Sequence, residues 1–157
     1  MIEFQLNGRR TIATSPEVTP LIDVLREELG DTSPKPGCRE GRCGSCSVLL
    51  DGEPVVSCLV PLARVAGSQV VTARGLCHGD TLDPVQEAFA RSGAIQCGIC
   101  TPGMLVAVRA LLDESPAATA EQVKAGLVNN LCRCTGYRKI LDAVAGLTTA
   151  EVLTDNE

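Results

Sequence analysis

Aromatic side chains are nearly missing from this chain: they make up 2% of its 157 residues, with no Trp, two Phe and one Tyr. A core must therefore be built from aliphatics, and two small domains would each be marginal on burial alone and need a further staple. Histidine is as scarce, with His78 alone, so a Ser–His or Cys–His catalytic pair would have to use that one side chain. No apolar run reaches the about 18 residues of a membrane-spanning helix. Positive charge is in deficit, 14 Lys and Arg against 19 Asp and Glu. The net charge of -5 and pI of about 4.9 exclude the basic face that nucleic acid demands. Neither a Gly-x-Gly-x-x-Gly nor a Walker A pattern is present, so no nucleotide site is expected. The first twenty residues carry Glu3, Arg9, Arg10 and Glu17 with no apolar core, and no signal peptide is expected.

What the chain does have is cysteine, nine in all. Without a secretion signal these point to a reducing compartment, with cytoplasm as the expectation, and to thiolate ligation of metal. Four of them, Cys38, Cys43, Cys46 and Cys58, follow a C-x4-C-x2-C-x11-C spacing, the first three in a loop with Gly37, Gly41 and Gly44. This is the plant-type ferredoxin spacing for a [2Fe–2S] cluster. Glycine lets the backbone pass close to a bulky inorganic ligand, and amide N–H groups aimed at its sulfurs tune its potential. Zinc sites usually pair cysteines on two separate knuckles, which fits one glycine-rich loop poorly.

Around that loop the pattern reads as a small α+β domain. Residues 2–6 alternate apolar and polar, Asn7-Gly8 signals a hairpin, and residues 10–14 return. Thr19-Pro20 is expected to cap a helix carrying Leu21, Val24, Leu25 and Leu29, closed by Gly30. Residues 48–50 and 55–58 form a second hairpin across Asp51-Gly52, and residues 69–72 a last strand. Residues 73–80 lack periodicity and read as a linker.

Beyond it the pattern turns helical. Asp83-Pro84-Val85-Gln86 resembles a capping box, with Val85, Ala88 and Phe89 inward. Thr101-Pro102 opens a second helix, and its apolar run from Met104 to Leu112 is expected to be buried. Thr119, with Gln122, caps a third, with Val123, Leu127 and Val128 inward. The fourth runs from about Tyr137, with Ile140, Leu141 and Val144 inside. Four short helices imply a compact bundle. Cys97, Cys100, Cys132 and Cys134 fall between these helices as C-x2-C-x31-C-x1-C. Two ligands one residue apart reach one site only from irregular backbone. Zinc with four thiolates stays open as an alternative for this half.

Together, CREGRCGSCSVLLDG, QCGICTPGM and NNLCRCTGYRKI resemble the iron–sulfur subunit of the xanthine dehydrogenase/molybdenum hydroxylase family, over roughly residues 1–147. The resemblance implies a β-grasp [2Fe–2S] ferredoxin domain, taken as residues 1–76, and an all-α four-helix-bundle [2Fe–2S] domain, taken as 77–157. It implies an electron-transfer role without substrate chemistry on this chain. Electrons would pass from a molybdopterin centre in a large subunit, through the helical-domain cluster and then the ferredoxin-domain cluster, to FAD in a medium subunit or another acceptor. The assembly would be a heterotrimer or a dimer of heterotrimers. By resemblance Gln96 and Cys134 touch the pterin. A stand-alone two-cluster ferredoxin or a redox-sensing module is the alternative. Cys77 reads as a free thiol and His78 as a surface residue. Arg39 and Arg42 are either solvated or partner-facing, or offset cluster charge. Tyr137 is expected to pack on the fourth helix. Asp83 stands where many relatives place histidine and serves equally well as a cap.

Overall fold

The computed structural model describes residues 1–148. Strands β1 (Ile2–Leu6) and β2 (Arg9–Ala13) form an antiparallel hairpin in register from Ile2↔Ala13 to Leu6↔Arg9. Its turn needs two left-handed residues, which Asn7 (φ 51) and Gly8 (φ 76) supply. β3 (Ser47–Leu50) and β4 (Glu53–Val56) make the second hairpin, and β5 (Gln69–Val71) lies between β1 and β3. The sheet order is β2-β1-β5-β3-β4, with β5 parallel to β1 and antiparallel to β3. Successive residues of a strand point to opposite faces. Val48 and Leu50 of β3 enter one core with Phe4, Leu21, Leu25 and Val70, while Leu49 enters the other. Both faces of β3 are covered, so all four of its residues are buried.

The first helix departs from expectation at its start and along its length, not at its stop. α1 (Leu21–Asp23) has Pro20, not Thr19, as its flanking residue, and no side chain caps it. Tertiary pairing replaces the cap: Leu21 N–H donates to Val60 O at 2.8 Å, while Thr19 O accepts from Leu62 N–H. The helix then widens into a π-turn over Val24–Glu28, closed by Leu29 N–H to Val24 O at 3.0 Å. Gly30, with φ 71, ends it.

The expected linker opens as a 3₁₀ turn, Ala73–Leu76, whose Ala73 and Leu76 are buried in the second core. Four helices follow: α2 (Pro84–Ser92), α3 (Thr101–Glu114), α4 (Ala120–Gly126) and α5 (Arg138–Thr148). Both capping boxes form. Asp83 accepts from Val85 N–H while Gln86 accepts from Asp83 N–H, and Thr119 and Gln122 do the same for α4. Met104, Val106, Val108 and Leu112 of α3 are buried, as are Val123, Leu127, Ile140 and Val144. Val128 is a correction. It lies past the end of α4 and is 70% exposed, because the chain has already left the helix that would turn it inward. No helix among the described residues is long and apolar enough to cross a membrane.

Candidate metal centres

The first cysteine loop leaves α1 and runs into β3. Arg39 (φ 57), Gly41 (φ 78) and Gly44 (φ 68) are all left-handed, and this curls successive amides inward. The N–H groups of Glu40, Arg42 and Cys43 converge on Cys38 Sγ at 3.4, 3.3 and 3.4 Å, and Cys38 N–H points at Cys43 Sγ at 3.3 Å. A Cβ on Gly37 would stand 2.7 Å from Cys43 Sγ, so only glycine lets the backbone come so near that sulfur. The Glu40 amide, joined by those of Arg42 and Cys43 against the effect of burial, brings the Cys38 thiol down to about 7. Cys46 and Cys58 lie deeper, together beside Ile22. Burial pushes Cys46 up to about 11. Arg39 pairs through Nη1 with Asp23 of α1 at 2.9 Å while 53% of its side chain stays open to solvent. Arg42 stays at the surface, 3.8 Å from Glu40.

The second set comes from the loops before α3 and before α5. Cys134 Sγ lies 3.5 Å from Cys97 Sγ and 3.9 Å from Cys132 Sγ. Thr135 Oγ1 stands 2.8 Å from Cys132 Sγ. Burial raises Cys132, but the Thr135 hydroxyl and nearby amides outweigh it and bring the thiol to about 7. Cys100 is buried, which pushes it up to about 12. Cys97, Cys134 and Gln96 are exposed.

The two sets meet back to back. Leu131 N–H, one residue before Cys132, donates to Cys43 O at 2.9 Å, and Asn130 Nδ2 donates to Gly44 O at 3.3 Å. Gly103 of α3 sits on the same loop, where a Cβ would fall 2.0 Å from Gly44 O. None of these contacts between halves was foreseen from the sequence, and Asn130, Leu131 and Gly103 carried no periodic signal that would have shown them.

Among the described residues no three Cys, His, Asp or Glu side chains close round a single ion. The thiols stand instead as neighbours in series, with amides directed at their sulfurs. That donor set fits a two-iron centre, in which each iron takes two thiolates and the flanking N–H groups offset charge on sulfur. Cys77 belongs to neither set; its thiol donates to Gln86 Oε1 at 3.2 Å. His78 is exposed and bridges Thr81 through backbone only.

Comparison with known proteins agrees with this division. Residues 4–73 match the 2Fe-2S iron-sulfur cluster binding domain family, and residues 72–145 match the [2Fe-2S] binding domain family. The nicotinate dehydrogenase small FeS subunit of Eubacterium barkeri is 44% identical over 144 residues, covering 91% of each chain. The xanthine dehydrogenase iron-sulfur-binding subunit of Escherichia coli O157:H7 is 44% identical over 146 residues, again covering 91% of each. The crystal structure of quinoline 2-oxidoreductase from Pseudomonas putida 86 contains a chain that superimposes with a TM-score of 0.88. It is 42% identical and covers 91% of this chain and 88% of that one. With two thiol sets in two [2Fe–2S] domains and relatives this close along nearly their whole length, the chain belongs to the xanthine dehydrogenase family, as one of its iron–sulfur subunits.

Proposed function

We propose that this chain carries electrons between a molybdopterin centre on a large partner subunit and FAD on a medium subunit, or another acceptor. The assembly is a cytoplasmic heterotrimer or a dimer of such units. Cys38, Cys43, Cys46 and Cys58 would hold one [2Fe–2S] cluster, and Cys97, Cys100, Cys132 and Cys134 the other. A bound cluster supplies a one-electron carrier whose potential follows charge, exposure and hydrogen bonds to its sulfurs. The chain's own residues do the rest. Amides of Glu40, Arg42 and Cys43 and the hydroxyl of Thr135 stabilise thiolate, and the Leu131–Cys43 hydrogen bond keeps the two ligand loops in contact.

The domain division adopted is 1–76 and 77–157, the second part extending beyond the described residues. The first half is read as a β-grasp, which its mixed five-stranded sheet supports. The second is read as a four-helix bundle, which its shared α2–α5 core supports.

One observation carries the order of electron flow. Gln96, Cys97 and Cys134 are exposed and have apolar Ile95, Ile99 and Leu131 near them in the chain at 43%, 50% and 55% exposure, with Cys100 buried below. In the other set Cys38 and Cys43 are half-buried, Cys46 and Cys58 buried, and Leu59 is the exposed apolar neighbour at 59%. Apolar side chains grouped around an exposed functional edge belong to a face that a partner covers. The helical end is therefore assigned to the molybdenum subunit, and the Cys38–Cys46 loop to the flavin subunit or external acceptor. Gln96 offers two donors and an acceptor to a heterocycle edge. Purification of the native assembly tests this: two larger partners should accompany the chain, and Gln96→Ala should lower pterin retention. A lone chain active as a soluble carrier, or unchanged pterin content, would contradict it.

A further inference from the structure

Tyr137 stands five residues past Cys132, and it does more than pack. Its hydroxyl accepts from Cys132 N–H at 2.8 Å and donates to Asn130 O at 3.1 Å. The residue itself is left-handed, with φ 64, a conformation unfavourable for a bulky side chain that needs surrounding structure to hold it. That support is visible. Tyr137 N–H donates to Thr135 Oγ1 at 3.2 Å, the same oxygen that stands against Cys132 Sγ. The ring is partly buried against the second core.

The segment so gripped is Asn130-Leu131-Cys132, which reaches the other thiol loop twice. Asn130 is 5% exposed and its amide donates to Gly44 O, while Leu131 N–H donates to Cys43 O. One phenol thus closes a short ring of hydrogen bonds around three residues that touch both candidate centres.

We propose that Tyr137 is a positioning residue. Its hydroxyl fixes the Cys132 amide and the Asn130 carbonyl, and so sets both the environment of the helical-half centre and the seating of its loop on the Cys43–Gly44 backbone. The inference rests on the two-cluster reading above. An amide N–H held by the phenol is withheld from sulfur, and amide hydrogen bonds to sulfur raise a cluster's potential. Removing the hydroxyl frees that N–H for the cluster.

The test is Tyr137→Phe in the full chain, with redox titration followed by EPR, iron analysis and thermal unfolding. Phe keeps the ring and its packing. The expected result is an upward shift in the midpoint potential of one signal, or loss of that signal with half the iron, while the other signal keeps its potential. Leu141→Ala is the control: this partly buried residue of α5 packs on the same core, and its backbone N–H bond to Tyr137 O survives the substitution, so it should lower thermal stability and leave both potentials in place. Unchanged potentials in Tyr137→Phe would overturn the proposal. So would a downward shift, joint loss of both signals, or an equal shift in Leu141→Ala. Failure of the underlying reading looks different, because the unaltered chain would then lack two signals.

Discussion

Gly103 and Gly44 set how closely the two halves approach. A methyl group on Gly103 would meet the Gly44 carbonyl at 2.0 Å, and one on Gly44 would meet Asn129 O at 2.5 Å. These are backbone atoms and cannot swing aside. Gly103→Ala is therefore expected to cost about 3 kcal/mol, at the upper end of overpacking effects, as α3 is forced off the thiol loop. Thermal unfolding of the iron-loaded protein checks this, and a melting temperature equal to that of the unaltered chain would contradict it. At this scale the sequence is uneven in what it displays. The two cysteine sets are legible because thiolate chemistry admits few residue types at fixed spacings. The glycine at 103 is not, since it lies inside an apolar helical run and its reason is a carbonyl nearly sixty positions earlier. Arg39 is similar: its partner Asp23 comes from another element.

Elements with local causes were the readable ones. Asn7-Gly8 and Asp51-Gly52 turn two hairpins, and the boxes at Asp83 and Thr119 start two helices, each through bonds within four residues. α1 was misjudged because its first N–H is satisfied by Val60, a long-range partner no local pattern displays. Two carboxylates then tie this element to its neighbours. Glu28 accepts from the amides and hydroxyls of Thr14 and Ser15; the Ser15 hydroxyl first, then Thr14, hold it down at about 2. Asp31 is 4% exposed; burial raises it, but Ser33, Thr72 and Asn7 together outweigh that and leave it lowered. A carboxylate lowered on folding contributes stability above its unfolded pKa, about 4, and loses it as pH falls through the folded value. Stability should accordingly hold from neutral pH to about 4.5 and fall toward pH 2. Asp31→Asn should cost about 1–3 kcal/mol at pH 7, because an amide nitrogen would face donors where an acceptor is needed. Urea titrations across pH measure both. A curve flat down to pH 2.5, or an unaffected Asp31→Asn, would count against the network.

For the whole molecule, two modest cores share one strand, and the contact between them runs through the ligand loops themselves. β3 serves both cores, Leu49 on one face and Val48 and Leu50 on the other. With almost no aromatic residues each core is small, and thiolates that converge only in the folded chain would couple metal binding to folding. At this junction the loop that supplies Cys43 and the one that supplies Cys132 are hydrogen-bonded neighbours. Exposure differs within each set: Cys97 and Cys134 are exposed and Cys100 is buried, whereas Cys38 and Cys43 are half-buried and Cys46 and Cys58 buried. The proposed role requires that this chain hold two [2Fe–2S] centres and relay electrons between them. EPR of the dithionite-reduced chain, integrated against its iron content, tests this most directly. Two distinct signals, one from each half and each accounting for two irons, are the predicted result; a single signal, or a colourless protein holding zinc, would contradict it.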